Sequence, residues 1–415
     1  MCIRNMLVGI VLCIAAPAGA DAPRYRVDYL GDGWTGTGIN RHGDVCGSMS
    51  PDGTALLAGV SKGGAPFEFL PLPEGMQSSR AHDINDEGVI VGSVCPNQYV
   101  ITAPTAAVWR PTPEGYEVEV FEPLPGDPYC AAYAVNNVGD IIGASGFWGW
   151  NLSTGVRFSP EGTVPLPEGM LSGDINDERV IISNNRLLDL DTGELTVYDL
   201  PEGRWQGFVA AALNNKNDFC GYILGYSGCS TFPMRYRQGV GWEYLGGCAT
   251  TTSATAINDR GDALSYYYYT ASGVTFVPEG YFSLGELIDG SQGEYYVQWG
   301  GANGINNNRQ IVAAARNGFN GPIGAILMTP MNTGPDCGAI RKFSAKCREG
   351  KLTAKVVSSL PEGMELTLTR NGGDAKTVTI NARGKGKAKW TGQAGSNVVC
   401  IVECPDVECP AADCG

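Results

Sequence analysis

Residues 84–92 read Ile-Asn-Asp-Glu-Gly-Val-Ile-Val-Gly, and this short stretch decides the fold because the chain repeats it. The pattern is an aliphatic residue, an Asn, two variable residues, a frequent Gly, and an aliphatic run closed by a small residue. Seven copies begin at Ile39, Ile84, Val135, Ile175, Leu213, Ile257 and Ile305, and their asparagines are Asn40, Asn85, Asn136, Asn176, Asn214, Asn258 and Asn306. Successive asparagines are 45, 51, 40, 38, 44 and 48 residues apart, a period whose spread is what loops of unequal length produce. Each copy reads as a tight β-hairpin. The aliphatic residue ends one strand, the Asn side chain accepts a backbone N–H two residues on, and the fourth position takes a left-handed residue. Gly43, Gly88, Gly139 and Gly261 suit that position and Asn217 tolerates it, whereas Arg179 and Arg309 break the rule. Each of those arginines is expected in a strained left-handed turn costing on the order of 1 kcal/mol.

Two further apolar segments follow each hairpin, as in Ala106–Pro111 and Tyr116–Gly126, so each period holds four short strands. Four strands at a period near 40–45 is the blade of a β-propeller. The seventh copy stops after its third strand, at 324–330, while the expected mature chain opens with Tyr-Arg-Val-Asp-Tyr-Leu at 25–30, which reads as a fourth strand. The expected fold is all-β: a seven-bladed β-propeller whose N-terminal strand completes the last blade and removes the open sheet edges. The 58 glycines among 415 residues fit many tight turns.

Residues 1–20 carry Arg4, an apolar run from Met6 to Ala16, and Ala18-Gly19-Ala20, which reads as a secretory signal. The propeller is expected over 21–334, a small β-sandwich-like module over 335–403, and a Cys-rich tail over 404–415. The charge changes sign at that boundary. Residues 335–415 hold 12 Lys and Arg against 9 Asp and Glu, a net of +3, and the remainder holds 17 against 34, a net of −17. The whole chain, at −14, is not expected to bind nucleic acid, and no later stretch is apolar enough to span a membrane.

With Cys2 and Cys13 lost with the signal, 12 of 14 cysteines remain, six on each side of residue 335, and each set can pair within itself in an oxidising compartment. The favoured staple in the module is Cys347 with Cys400. The spacing of Cys400, Cys404, Cys409 and Cys414 lacks the paired knuckles of structural zinc sites, so no metal and no cofactor is expected.

Ligands of propellers usually sit at the channel mouth, on loops that here precede the Asn motif. Those loops carry Trp34, Tyr129, Trp205 and Trp299, the candidate ligand-binding residues; the alternative is that the rings pack between blades. Asp83 and Asp174 lie two residues before their motif asparagines, where the other copies have Gly38, Ala134, Ala212, Ala256 and Gly304. They can bond backbone N–H groups, hold a hard cation, or act as a general acid and base. His82 adjoins Asp83, but strand alternation would send the two to opposite faces. The tyrosines at 266–269 need no function. Arg383, Lys385, Lys387 and Lys389 can form a basic stripe for the acidic propeller or an anionic wall polymer, and Asn151-Leu152-Ser153 is a glycosylation sequon.

The Asn-x-x-Gly turn with its aliphatic run, followed by strands such as Ala106-Ala107-Val108-Trp109, resembles the HAF repeat of bacterial extracellular proteins, over about residues 25–330. The His-Ala-Phe of that family is replaced by Ala107-Val108-Trp109 and Val156-Arg157-Phe158 at the nearest matches. The resemblance implies export and a propeller-like fold, and no reaction. The expected protein is a secreted, monomeric, non-catalytic binding or structural repeat protein whose ligand is a glycan, a cell-surface protein or a wall polymer. The alternative is a secreted carbohydrate-active hydrolase or lyase using channel-mouth carboxylates.

Overall fold

A computed structural model describes residues 23–98, 102–147, 153–171, 173–203, 205–225, 230–246, 252–267, 271–331, 337–360, 364–402, 404 and 407–415. The expected signal at 1–20, Asn151 and Leu152 of the sequon, Cys229, Cys248 and part of the tyrosine run lie outside them. The chain divides into two compact units, Met1–Met331 and Asn332–Gly415.

The larger unit is built of seven four-stranded antiparallel sheets, a propeller-like, all-β arrangement. Their first strands are Thr35–Ile39, Ser78–Ile84, Tyr129–Val135, Asp174–Ile175, Trp205–Leu213, Thr252–Ile257 and Tyr295–Ile305, and each runs directly into its motif Asn. In six sheets the four strands follow in chain order. In the seventh the outermost strand is Tyr25–Asp32, which pairs antiparallel with Ile323–Pro330. The N-terminal segment therefore supplies the strand that the seventh repeat lacks.

The hairpins have the expected geometry. The backbone N–H of each motif Asn donates to the carbonyl four residues on, and the N–H of the fourth turn residue donates back to the Asn carbonyl. That fourth residue is left-handed in every copy, with φ of 81° at Gly43, 62° at Asn217, 61° at Arg179 and 59° at Arg309. The two arginines accept the strained backbone because their side chains cross to the preceding sheet. Arg179 Nε donates to Asp140 Oδ2 at 2.8 Å, and Arg309 Nε donates to Asp262 Oδ2 at 2.9 Å. Arg309 also reaches Glu279 at 2.8 Å, lies 4.4 Å from the Phe276 ring centroid, and receives the Tyr25 hydroxyl on its carbonyl. A glycine there would relieve the backbone and lose the bridge.

Apolar side chains of neighbouring sheets meet in a series of local cores rather than one. Ala81, Ile84, Ile90 and Trp109 pack with Cys46, Ala58 and Val60 of the sheet before them. Cys46, Cys130 and Cys220 are buried in the thiol form, which corrects the expectation of disulfides for these three; Cys229 and Cys248 lie outside the described residues. Each of the three thiols sits where its sheet meets a neighbour, as a small apolar residue would.

The smaller unit has a three-stranded sheet (Ile340–Arg348, Lys351–Ser358, Lys385–Trp390) and a four-stranded one (Glu365–Arg370, Asp374–Thr379, Ser396–Ile401, Ala411–Asp413). Leu352, Ala354, Val356 and Trp390 from the first share a core with Leu366, Leu368, Val399 and Ile401 from the second. Its disulfides are Cys337–Cys404, Cys347–Cys414 and Cys400–Cys409, so the expected Cys347–Cys400 staple is not the one formed. The segment from Cys404 onward is not a loose tail. Ala411–Asp413 pairs with Ser396–Val398, and all three bridges tie the segment into the sandwich.

Candidate functional site in the central channel

The residues around each motif Asn form stacked tiers, and the tiers surround two cavities. The Asn tier does two jobs. Locally, Oδ1 of Asn85 accepts the N–H groups of Glu87 and Val89 at 3.0 and 2.9 Å. Outwardly, each Nδ2 donates to the main-chain carbonyl of the next motif Asn: 40 to 85, 85 to 136, 136 to 176, 176 to 214, 214 to 258, 258 to 306, and 306 back to 40, at 2.8–3.2 Å. The seven bonds form an unbroken cycle through all seven sheets. The asparagines are 3–5% exposed, so the hydrogen bonds replace water on groups that would otherwise be buried unsatisfied.

The residues after the asparagines form a second belt: Arg41, Asp86, Asn137, Asp177, Asn215, Asp259 and Asn307. Each backbone N–H from Arg41 to Asp259 donates to Oδ1 of the next member at 2.7–2.9 Å. Asp and Asn alternate because an Asn amide donates to the carboxylates beside it, as Asn137 does to Asp86 and Asp177 at 2.8 and 3.0 Å. A ring of seven cannot alternate throughout, and Arg41 takes the odd place. Its side chain has no acceptor, so the belt opens between Asn307 and Arg41, and Asn308 Nδ2 donates to the Arg41 carbonyl instead. These positions looked variable in the sequence; their alternation was the signal that reading passed over.

The two belts and the aliphatic residues before them, Ile39 to Ile305, line a cavity of about 210 Å³. A second cavity of about 250 Å³ lies toward the strand starts and is lined by Thr37, His82, Asp83, Tyr133, Asp174, Thr255 and Asn303, among others. His82 and Asp83 line the same cavity, against the expectation from strict alternation. The register slips between Ala81 and Asp83, a β-bulge that turns two successive residues to one side. The same slip occurs before the Asn in the first, third, fifth, sixth and seventh repeats.

Asp83 and Asp174 both have two backbone partners. Asp83 Oδ1 accepts from Ile84 N at 2.8 Å and Oδ2 from Val135 N, in the next sheet, at 3.0 Å. Asp174 does the same with Ile175 N and Leu213 N, both at 2.8 Å. Burial, with Asp174 nearby, pushes the Asp83 carboxyl up to about 7, and burial pushes Asp174 up to about 6. Burial pushes His82 down to about 3, so it is neutral, with its ring edge-on to Tyr133 at 5.3 Å. In three other repeats the bulge residue makes the link to the next sheet: Thr37 Oγ1 to Ala81 O, Thr255 Oγ1 to Ala302 O, and Asn303 Nδ2 to Gly36 O. Five of the seven junctions thus carry a side-chain staple in the channel. Among the described residues no group of three or more His, Cys, Asp or Glu is placed to hold a metal ion.

Trp34, Tyr129 and Trp205 stand at the strand-start end, whereas Trp299 falls inside the strand Tyr295–Ile305. Trp34 is 7% exposed, with its ring stacked on Phe67 at 4.3 Å. Trp205 is half-buried, edge-on to Phe232 at 5.2 Å, and donates Nε1–H to Pro201 O. Tyr129 is half-buried, and the side chain of Trp299 lies outside the described residues. An aromatic pair that the sequence reading did not single out, Tyr296 and Phe319, is more exposed, at 43% and 76%, with ring centroids 6.1 Å apart.

No protein-family model and no curated protein matches the chain. Solved structures do. A gluconolactonase-like protein aligns at a TM-score of 0.34 and 13% identity, over 76% of this chain and 94% of that one. AofleA from Arthrobotrys oligospora aligns at 0.30 and 9%, over 92% and 96%. YCF48 bound to D1 peptide aligns at 0.28 and 10%, over 90% and 98%.

Proposed function

We propose that the seven sheets are the blades of one closed seven-bladed β-propeller, of the HAF-repeat kind, and that it is an exported, monomeric, non-catalytic binding scaffold. One observation carries the reading. The channel polar groups that would do chemistry are spent on holding sheets together: both oxygens of Asp83 and of Asp174 accept backbone N–H groups, one from the neighbouring sheet in each case. Three disulfides in the smaller unit suit an oxidising compartment. The ligand, a glycan or a cell-surface protein, docks at the strand-start rim, where Tyr129 and Trp205 keep part of their surface and Tyr296 and Phe319 keep more. Trp34 supports that rim by packing, and Trp299 belongs to it by sequence.

The test is a glycan array and a cell-surface pull-down with the full chain, repeated with Tyr129→Ala, Trp205→Phe and Tyr296→Ala. Binding that falls at least tenfold in these variants supports the rim; binding that none of them changes removes it.

A second reading, a carbohydrate-active hydrolase, is favoured by the two carboxyls that line one cavity with raised pKa values. A cavity of about 250 Å³ lies below the usual range for small-molecule sites, about 300–1,000 Å³. Release of reducing sugar from a polysaccharide by the wild type, lost in Asp83→Asn, would establish that reading over the first.

A further inference from the structure

The three-stranded sheet of the smaller unit has one face in the core and one face covered with cations. The pairing Lys355↔Lys387, Thr353↔Lys389 and Val357↔Lys385 places Lys355 beside the three lysines of the neighbouring strand. On the other side, Thr353 stands opposite Lys346 and Val357 opposite Lys342. All six lysines are exposed, and Arg348 and Lys351 continue the face at the turn. The only carboxylate on these strands and that turn is Glu349, which lies 3.9 Å from Arg348. The stripe legible in the sequence is thus one row of a two-dimensional array. Rows are about 4.8 Å apart and lysines along a strand about 6.6 Å apart.

Like charges at that spacing repel. Lys389, then Lys355 and Lys351, hold the Lys387 ammonium below the ordinary lysine range. An array that stores this repulsion gains from an anionic partner that brings several charges at once. We propose that this face binds an extended acidic polysaccharide through its carboxylates. The face carries six lysines, and the outward residues between them are Ser344, Thr353 and Val357. No aromatic side chain stands on it to stack bases, since Phe343 and Trp390 pack with the core. No bulky apolar residue projects to enter a lipid surface. Lysines act as point charges and suit carboxylates spaced along a chain.

The experiment uses the full chain with polygalacturonate, neutral dextran, duplex DNA, and phosphatidylglycerol vesicles, by titration calorimetry and co-sedimentation at about 50 and about 300 mM salt. Polygalacturonate is expected to bind, to weaken at least tenfold at the higher salt, and to weaken at least tenfold in Lys355→Glu/Lys387→Glu/Lys389→Glu. The neutral triple Lys→Gln should fall between, and Arg24→Glu/Lys62→Glu/Lys216→Glu, in the larger unit, should bind as the wild type. Unchanged melting curves show that the exposed substitutions leave the fold intact. Absence of polygalacturonate binding, or an unaffected Lys→Glu triple, overturns the proposal. Tighter binding to DNA or to vesicles than to polygalacturonate also overturns it, in favour of a nucleic acid or a membrane.

Discussion

The two units of this chain solve the same problem, a β fold with many short strands, by opposite means. The larger unit leaves Cys46, Cys130 and Cys220 as buried thiols and links its sheets through a hydrogen-bonded cycle of seven asparagines. The smaller unit has no such cycle and is closed by three disulfides, two of which span 67 residues. Size explains the contrast. A unit of Asn332–Gly415 buries one modest core, and such cores rarely supply more than about 3–5 kcal/mol. Cross-links that constrain its unfolded state add about 2–5 kcal/mol each. The larger unit buries a core at every sheet junction and needs specificity of closure more than extra stability.

Reduction breaks the comparison most directly. With dithiothreitol the smaller unit should lose its cooperative unfolding transition in a urea melt; a transition that persists would mean that its two sheets hold without the bridges. Next in size is Asn85→Ala. It strands the N–H groups of Glu87 and Val89, at about 1–3 kcal/mol each, and removes the link to the Asn136 carbonyl, which keeps the Gly139 N–H, so a loss of about 2–4 kcal/mol is expected in chemical denaturation.

The two left-handed arginines sharpen the point. Arg309→Gly should cost about 2–4 kcal/mol, because it removes the 2.9 Å partner of the fully buried Asp262 carboxylate and leaves Arg260, at 3.8 Å, as its nearest cation. Arg179→Gly should stay within about 1 kcal/mol of wild type, because Arg179 is one-third exposed and its pair is worth little more than the relieved strain. Equal effects from the two would show that the turn backbone, and not the bridge, sets the cost.

The last effect is read against pH. Asp83 and Asp174 hold protons in the folded state at pH values where the unfolded chain has released them. Their contribution to stability is therefore full below about pH 4 and declines as pH rises to about 7, beyond which it is flat. The difference in melting temperature between wild type and Asp83→Ala/Asp174→Ala should shift against the wild type between pH 5 and 7.5. Alanine already occupies the equivalent places at Ala134, Ala212 and Ala256, so the variant side chains fit. A pH-independent difference would mean the carboxyls titrate normally.

Much of the fold was legible in the chain. The repeated Asn turn announced seven hairpins, the missing fourth strand pointed to 25–30, and the alternating tail announced a second β unit. Those features are local or periodic, and local hydrogen-bonding and alternation rules read them directly. The site was legible only in part. Asp83 and Asp174 stood out as departures from Gly and Ala, and their commonest reading, backbone N–H bonds, is the one observed, but the sequence could not show that half of those bonds go to another sheet. His82 was misplaced because a bulge resets alternation, and a bulge leaves no mark on a single copy. The Asp–Asn belt was written in the residues after each motif Asn and became meaningful only once they stood in a ring.

The sequence by itself determined the repeat, the strand count, the turn geometry and the change of charge at the second unit, because each depends on residues a few positions apart. Only the tertiary structure decided the disulfide pairs, the sharing of one cavity by two distant carboxyls, and the spread of a lysine stripe into a face. Those depend on which residues, tens of positions apart, the packing of sheets brings within a few ångströms, and no spacing along the chain encodes that.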